Sequence, residues 1–307
     1  MAETVHIREV GPRDGLQMVK QILSTDRKLE WCRRAVEAGI AEVEVTSFVP
    51  PKVLPQYADA VEVALGALEI PGLRAAALVP NLKGAQRAFD VGLRKVNYVV
   101  SASDAHSRAN VQKSTDEAIE EFGLIVAERA ARGARVELGV GIATAFGCTI
   151  AGAVAESHVV DIAERLLSLG ADEIVIADTV GYGNPAAVKR ILPQVMRLSR
   201  TATFGCHFHD TRGLGLANVT AAAEVGIRAF DASLAGLGGC PFAPGASGNV
   251  NLEDTVYLLE SLGFSTGIDF AKLLALRKEI ESWLAGEAFT GSIAKAGLPK
   301  NFRQLPA

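Results

Sequence analysis

The 307-residue sequence predicts an α/β fold, a (β/α)8 TIM barrel with extra C-terminal helices, on three observations. Eight short β-rich runs alternate with longer amphipathic runs, which is the pattern of successive βα units. Several amphipathic runs end in glycine just before the next strand, at Gly39, Gly92, Gly170 and Gly226, as helices commonly do. The glycine-rich phosphate turn of a doubly wound sheet is missing after the first run, so a closed barrel is favoured over that alternative.

The elements follow in chain order. The predicted strands cover residues 5–10, 42–48, 73–79, 95–103, 135–145, 173–179, 202–210 and 229–236. A glycine-rich loop at 237–249 follows the eighth strand, and helices are predicted from Val250 onward and at 271–286. The tail at 292–307 has no firm signal and is expected to be partly disordered or to lie at a subunit contact. We predict one catalytic domain over residues 1–307, with the barrel at about 5–263 and a helical extension at about 264–307.

Composition narrows the class of protein. Hydrophobic residues make up 49% of the chain and the mean hydropathy is +0.22, which allows a large buried core. The net charge of −4 argues against a general binder of nucleic acid or of an anionic membrane surface. No apolar run reaches the roughly 18 residues that a membrane span needs. The four cysteines stand far apart without a CxxC pair, so a reducing cytoplasm is the expected compartment.

Polar side chains gather at the predicted C-terminal ends of the strands, which share one face of a parallel barrel and carry its active site. The candidates are Arg13, Asp14 and Gln17 after the first strand, Glu44 and Ser47 on the second, Lys83 after the third, Asp178 and Thr179 on the sixth, His207, His209 and Asp210 on the seventh, and Cys240 and Asn249 in the glycine-rich loop. An ordinary surface loop would not distribute carboxylates, imidazoles and a thiol around one rim. By contrast, His106 and Arg108 are assigned to a solvated polar loop after the fourth strand.

The stretch "GCHFHD" at 205–210 holds two of the five histidines. On a strand, His207 and His209 would face the same side, roughly 7 Å apart. Two rim or core histidines satisfied by hydrogen bonds are the alternative. With Asp14 as the best oxygen ligand from across the barrel, the pair predicts a divalent metal site. Nitrogen and oxygen ligands without a thiolate favour Mg or Mn over structural zinc, and such an ion acts as a Lewis acid.

Five motifs carry a resemblance to a known family. They are "VGPRDGLQ" at 10–17, "VTSFVPPK" at 45–52, "VPNLKG" at 79–84, "HFHDT" at 207–211 and "AGLGGCPFAPGASGN" at 235–249. In one register from about Val5 to Leu274, the chain resembles the 3-hydroxy-3-methylglutaryl-CoA (HMG-CoA) lyases, within a wider group of metal-dependent lyases and Claisen-condensing synthases. The resemblance implies divalent-metal-dependent cleavage of a 3-hydroxy-3-alkylacyl-CoA, first of all (S)-HMG-CoA to acetyl-CoA and acetoacetate, by a homodimer.

The resemblance also implies roles for individual residues. Asp14, His207, His209 and Asn249 would hold the divalent ion. Arg13 would polarise the thioester and Cys240 would transfer a proton, with Glu44 and Asp178 supporting the proton traffic and Glu253 supporting the loop. The remaining rim residues complete the prediction: Gln17, Ser47, Lys83 and Thr179 as substrate contacts beside Arg13, and Asp210 as a support.

The chemistry gives each role a reason. The bond between a tertiary alcohol carbon and the carbon next to a thioester breaks when the hydroxyl loses its proton and the developing enolate is stabilised. A bound cation lowers the pKa of the hydroxyl, and a fixed guanidinium stabilises the enolate oxygen. A thiol with a pKa near ~8.5 can then protonate the new methyl carbon. A covalent acyl-cysteine is the alternative role for Cys240.

The fifth strand departs from the family pattern. Where lyases of the methylglutaryl ester carry an arginine, this chain has Gly139, and Cys148 is followed by Thr149 and Ile150. A wall altered in size and charge changes which acyl group is bound well in the transition state. A citramalyl ester or one with a longer branch at the tertiary carbon is therefore an alternative substrate. The barrel also suits two further functions, a Claisen-condensing synthase and a protein that only binds a CoA ester.

Overall fold

The computed structural model describes residues 2–239 and 248–304, and its eight strands close into one parallel barrel in the order β1 to β8. The strands are β1 His6–Glu9, β2 Glu42–Ser47, β3 Arg74–Leu78, β4 Lys95–Ser101, β5 Glu137–Ala143, β6 Glu173–Asp178, β7 Thr203–Phe208 and β8 Ala229–Ala232. The barrel is closed by β1 pairing with β8, from His6 with Ala229 to Glu9 with Ala232. The predicted TIM barrel is confirmed.

Helices follow the strands around the outside. They are α1 Thr25–Glu37, α2 Ala60–Leu68, α3 Leu82–Val91, α4 Asp104–Val111, α5 Thr115–Ala131, α6 Glu156–Leu169, α7 Pro185–Met196, α8 Gly215–Glu224, α9 Leu252–Ser261, α10 Phe270–Trp283 and α11 Ser292–Ala296. The strand residues that face these helices are apolar and fully covered: Val140, Ile142, Ile174 and Ile176 are at most 1% exposed. In the described part of the chain, no helix is long and apolar enough to cross a membrane.

The described part of the tail, residues 292–304, is folded rather than disordered, and its expected subunit contact stays a prediction. Residues 292–304 include helix α11 and fold back on the chain itself, where Phe302 packs against Tyr257 and Phe270 at ring distances of 5.1 and 5.6 Å. Gln304 donates a hydrogen bond to the Ile268 carbonyl over 2.7 Å. Helix α10 likewise buries Phe270, Leu273, Leu276 and Ile280 within the chain.

A network of charged side chains occupies the lower part of the barrel interior. Arg8 lies 2.5 Å from Glu173 and 2.6 Å from Asp231, while Lys95 lies 2.7 Å from Glu173 and 2.7 Å from Glu42. Removing charges from water costs several kcal/mol per ion, which these short opposite-charge contacts offset. The sequence analysis did not predict this network. In the sequence alone, each of these residues is indistinguishable from a solvated surface charge, because their contacts form only in the closed barrel.

A buried carboxylate at the end of β1 organises the turn that carries the first site motif. Glu9 accepts hydrogen bonds from the backbone N–H of Gly11 over 2.5 Å and of Leu234 over 3.2 Å. Burial raises the pKa of Glu9 to about 8, although these hydrogen bonds act in the opposite direction. Glu9 therefore joins the turn after β1 to the chain just after β8.

A second buried carboxylate, Glu253 on α9, binds Ala235, the residue that follows Leu234 after β8. It accepts from the backbone N–H of Ala235 over 3.1 Å and from Arg277 of α10 over 3.0 Å. Ala235 has a φ of 60°, in the left-handed region that favours glycine, so its backbone is strained and depends on such supports. Burial outweighs Arg277 and raises the pKa of Glu253 to about 7.

Removing Arg8 should destabilise the fold strongly. Arg8→Met leaves Glu173 and Asp231 as buried charges without this partner, so we expect the free energy of unfolding to fall by about 3–5 kcal/mol. Arg33→Met is the matched control, because Arg33 pairs with Glu30 at the surface and such pairs contribute at most about 1 kcal/mol. Urea unfolding followed by circular dichroism measures both. Equal losses in the two variants would contradict the structural role of the network.

The raised pKa of Glu9 should give a measurable pH dependence of stability. Its folded-state pKa of about 8 exceeds the ordinary value of 4.5, so the folded chain binds more protons than the unfolded chain between these pH values. The contribution of Glu9 to the free energy of unfolding is therefore complete below about pH 4.5 and declines as pH rises towards 8, by at most about 1.4 kcal/mol per pH unit. Urea unfolding between pH 5 and 8 should show a flatter slope in Glu9→Gln, and parallel slopes would contradict the assignment.

Candidate active site

Three predicted ligands meet at the carboxyl end of the barrel. Asp14, His207 and His209 each offer one ligand atom, and these atoms lie within 4.8 Å of one another. The Nε2 atoms of the two histidines are 3.2 Å apart, and Asp14 Oδ2 lies 4.0 Å from His207 Nε2 and 3.8 Å from His209 Nε2. The predicted convergence of the two imidazoles on one point is confirmed.

Local structure explains why these side chains meet. Asp14 lies in a π-helical turn, Gly11–Gly15, which follows β1 and has a proline as its second residue. His207 lies on β7 and His209 just beyond it, so both face the barrel interior. Burial and the neighbouring His207 lower the pKa of His209 to about 4, which keeps this ring neutral near pH 7. A neutral imidazole is the form that binds a metal ion.

Asp231 orients the first histidine, a role that the sequence analysis missed. Its Oδ2 lies 3.2 Å from His207 Nδ1, so Nδ1 donates and Nε2 turns its lone pair towards the cluster. Burial alone would raise the pKa of Asp231, but Arg8 and His207 outweigh it and lower the pKa to about 2. Asp231 thus connects the charged network in the barrel interior, which we call the lumen network, to the cluster of Asp14, His207 and His209, which we call the metal cluster. The sequence feature that could have indicated this role is the alternation of inward-facing and outward-facing residues on β8. In the structure, Asp231 is the register partner of His207.

Asn249 joins the cluster from the far side of the glycine-rich loop. Its side-chain N–H donates to Asp14 over 2.8 Å and to the Leu237 carbonyl over 3.0 Å. Gly238 has a φ of 123°, and a Cβ there would lie 2.4 Å from the Asn249 amide nitrogen, so only glycine fits. Among the described residues, the buried Asn249 Oδ1 has no hydrogen-bond partner. An amide oxygen without a partner, on a side chain that contacts Asp14, fits a divalent cation with mixed oxygen and nitrogen ligands.

Arg13 is held firmly beside this cluster. Its guanidinium lies 2.5 Å from Asp14 and 2.9 Å from Glu44, and Tyr57 donates its hydroxyl hydrogen to the Arg13 carbonyl. Gln17 also donates to Asp14, over 3.1 Å. Arg13, Asp14, Gln17 and Glu44 therefore form one connected group, as predicted from the ends of the first two strands.

Glu44 has a second partner, which sequence reasoning missed. Asn97 on β4 donates to Glu44 over 2.8 Å. Burial raises the pKa of Glu44, although Arg13 and Asn97 oppose this change. A buried carboxyl group with a raised pKa, beside a fixed guanidinium, is suited to hold or release a proton.

The other predicted residues lie at the rim but make no hydrogen bond to the metal cluster within residues 2–239 and 248–304. Asp178 accepts from the backbone N–H groups of Tyr182 and Gly183, and burial raises its pKa to about 6. Asp210 accepts from the N–H of Gly215, at the first residue of α8. The hydroxyl group of Ser47 accepts a hydrogen bond from the backbone N–H of Val49, and that of Thr179 accepts one from the backbone N–H of Thr144. Lys83 is exposed on α3.

The assignment of His106 and Arg108 to a loop was wrong. Both lie in helix α4, and His106 is buried, with its Nδ1 3.0 Å from the hydroxyl oxygen of Ser101. The missed signal was Ser103, whose side chain accepts from the N–H of His106 and begins the helix. Cys240, the predicted proton donor, lies outside the residues that the structure describes.

The chain is similar to known proteins along most of its length. The HMGL-like family matches residues 4–280. The mitochondrial hydroxymethylglutaryl-CoA lyase of Macaca fascicularis is 40% identical, with 89% of this chain and 84% of that protein covered. The hydroxymethylglutaryl-CoA lyase YngG of Bacillus subtilis is 39% identical, with 90% of this chain and 92% of that protein covered.

A solved structure extends the match. The HMG-CoA lyase from Acinetobacter baumannii, in complex with coenzyme A and 3-methylmalate, has a TM-score of 0.91 and 40% identity, with 99% of this chain and 98% of that chain covered. The resemblance drawn from the sequence motifs is confirmed. On its fold, its motifs and these matches along most of its length, the chain belongs to the HMG-CoA lyase-like family and is a carbon–carbon lyase.

Proposed function

We propose that this enzyme cleaves a 3-hydroxy-3-alkylacyl-CoA, with (S)-HMG-CoA as the reference substrate and acetyl-CoA and acetoacetate as its products. The observation that carries the proposal is the convergence of Asp14, His207 and His209 beside the fixed guanidinium of Arg13. The family membership and the relatives named above support the same reaction. A citramalyl ester or a longer-branched ester stays the alternative substrate, and a Claisen-condensing synthase has no support from those relatives.

The donor set supports a bound divalent cation, Mg or Mn. Asp14, His207, His209 and Asn249 would hold it, through one carboxylate oxygen, two imidazole nitrogens and one amide oxygen. Bound there, the cation would act as a Lewis acid that lowers the pKa of the substrate hydroxyl. No thiolate lies in the cluster among the described residues, in agreement with an ion that prefers oxygen and nitrogen.

Arg13 supplies a positive charge that does not need to move during the reaction. Glu44 and Asp14 hold its side chain, and Tyr57 holds its backbone. Fixed charge aimed at a developing enolate oxygen lowers the barrier without reorganisation, because its position was set during folding. We therefore assign Arg13 to the thioester oxygen, with Gln17, Ser47, Lys83 and Thr179 as further substrate contacts.

The groups that can carry a proton support separate roles for a thiol and a carboxyl group. We assign Cys240 to protonation of the new methyl carbon. Glu44, whose pKa burial raises, lies next to Arg13 and is assigned to the hydroxyl proton, with Asp178 as a second carboxyl group of raised pKa on the rim. Asp210 and Glu253 are assigned as supports, since both accept from backbone N–H groups rather than facing the cluster.

Two further assignments accompany the reaction. A reducing cytoplasm is supported by the free thiols of Cys32, Cys148 and Cys206 among the described residues. A homodimer is carried over from the family resemblance alone, and analytical ultracentrifugation would test it.

Product analysis tests the reaction. Protein loaded with Mg or Mn should convert (S)-HMG-CoA to acetyl-CoA and acetoacetate in equal amounts, measured by mass spectrometry. Cys240→Ser in the same assay should lower kcat by about 100-fold or more, the usual effect of losing a positioned proton donor. Condensation of acetyl-CoA with an oxo acid, and no cleavage, would overturn the proposal in favour of a synthase.

Metal binding tests the cluster independently of activity. Asp231→Asn removes the anionic acceptor of His207 and should raise the Kd for Mn²⁺ by about 10–100-fold, as loss of a partner of a metal-bound histidine does. Asp14→Asn should weaken binding further. Asp161→Asn, an exposed carboxylate on α6, is the control and should leave the Kd unchanged. Electron paramagnetic resonance of free Mn²⁺ measures all three, and equal Kd values would contradict the assigned site.

A further inference from the structure

One side of the barrel mouth is lined by apolar residues, three of them glycine or alanine, and the strand register shows that they face inward. Lys95 on β4 contacts Glu42 and Glu173 across the barrel, so Asn97 and Val99, at alternate positions, also face the interior. The register then carries this face from strand to strand. It pairs Asn97 with Gly139, Val99 with Gly141, Ser101 with Ala143, Gly141 with Val175, and Ala177 with His207.

Five of these inward residues form what we call the β4–β6 wall: Val99, Gly141, Ala143, Val175 and Ala177. The wall is next to the metal cluster, because Ala177 is the register partner of His207. Three of its five residues are glycine or alanine, whereas the interior of a TIM-type parallel barrel is commonly filled by bulky branched side chains. The wall therefore borders the position where the reacting carbon of a substrate bound at the cluster would lie.

Solvent exposure differs between the inward-facing and the outward-facing residues of these strands. The outward-facing neighbours Val140, Ile142 and Ile176 are 0%, 0% and 1% exposed. On the inward side, Ala143, Ala177 and Val175 are 7%, 8% and 9% exposed, and Val99 and Gly141 are more exposed than these three. Solvent-accessible apolar surface inside a barrel mouth is the usual lining of a ligand pocket.

The two glycines of β5 differ in what they permit. A Cβ on Gly139 would lie 2.7 Å from Asn97 Oδ1, so Asn97 would have to move to admit a side chain there. A Cβ on Gly141 would meet Val99 at 3.7 Å and the Tyr98 carbonyl at 3.9 Å, which are ordinary contacts. Because the fold would accept a side chain at Gly141, the space above it is available to a ligand.

The charge distribution decides what kind of group this space suits. Above Asn97 and Glu173, no described inward residue of β4, β5 or β6 carries a charge. The cations further down, Arg8 and Lys95, are already paired with carboxylates. A substrate carboxylate placed against this wall would lose water without gaining a partner, whereas an alkyl group would gain about 0.8 kcal/mol for each buried methylene.

We propose that the β4–β6 wall receives an alkyl branch of two or more carbons on the tertiary carbon of the substrate, in the place of the methyl group of HMG-CoA. This inference rests on the proposed lyase reaction and specifies its substrate class. Gly141 is the specificity-determining position of the wall. Because glycine has no side chain, it leaves room for a longer branch, and a larger residue there would shorten the branch that fits.

A substrate series tests the proposal. The metal-loaded enzyme is assayed with HMG-CoA and with the 3-ethyl, 3-propyl and 3-butyl homologues of the same 3-hydroxyglutaryl ester. We expect kcat/KM to rise roughly fourfold with each added methylene, which is the effect of burying about 0.8 kcal/mol of apolar surface per methylene. Gly141→Val should lower the ratio of kcat/KM between the butyl and methyl esters at least tenfold. Gly141→Ala should lower the same ratio by less and serves if the valine variant does not fold.

The matched control is Gly123→Val. Its new side chain would lie on α5 against Leu169, away from the barrel mouth, and it should leave the ratio between the esters unchanged. If HMG-CoA is cleaved but kcat/KM falls along the series, and the Gly141 variants do not change the ratio, the proposal is overturned while the lyase reaction stands. If no ester of the series is cleaved, HMG-CoA included, the lyase reaction itself fails and the inference fails with it.

Discussion

The site depends on one chain of opposite charges that runs from the barrel interior to its mouth. Arg8 binds Asp231, and Asp231 in turn fixes the ring of His207. Without Arg8, the carboxylate would be a buried charge at the position where it must stay ionised to accept from Nδ1. The lumen network therefore serves the fold and the chemistry together. It also explains how polar residues can fill a space that many parallel barrels fill with branched apolar side chains.

Much of the fold and part of the site could be predicted from the sequence. Strand runs, terminal glycines and the pair His207 and His209 all depend on local periodicity, which survives without tertiary information. Their outcomes agree with the structure to within a few residues at strand ends. The motif from Val10 to Gln17 likewise placed Arg13, Asp14 and Gln17 in one group, because a single tight turn carries all three.

What could not be predicted depends on contacts between distant strands. Arg8, Lys95 and Asp231 become partners only when the barrel closes and sets the register of eight strands. The helical state of His106 was missed for a different reason, since the short helix α4 has a polar composition typical of loops. The roles of Lys83, Ser47 and Thr179 depend on a substrate, and neither chain periodicity nor folded geometry alone assigns them.

The link between Glu253 and Arg277 has a consequence for how the enzyme is made. Glu253 holds the strained Ala235 at the start of the loop that leads to Asn249, and Arg277 supplies its counter-charge from α10, near the end of the chain. The edge of β1 that pairs with β8 also stays uncovered until β8 has formed. Glu253 can therefore receive this counter-charge only after α10 has been synthesised, later in the chain than Asp14, His207, His209 and Asn249.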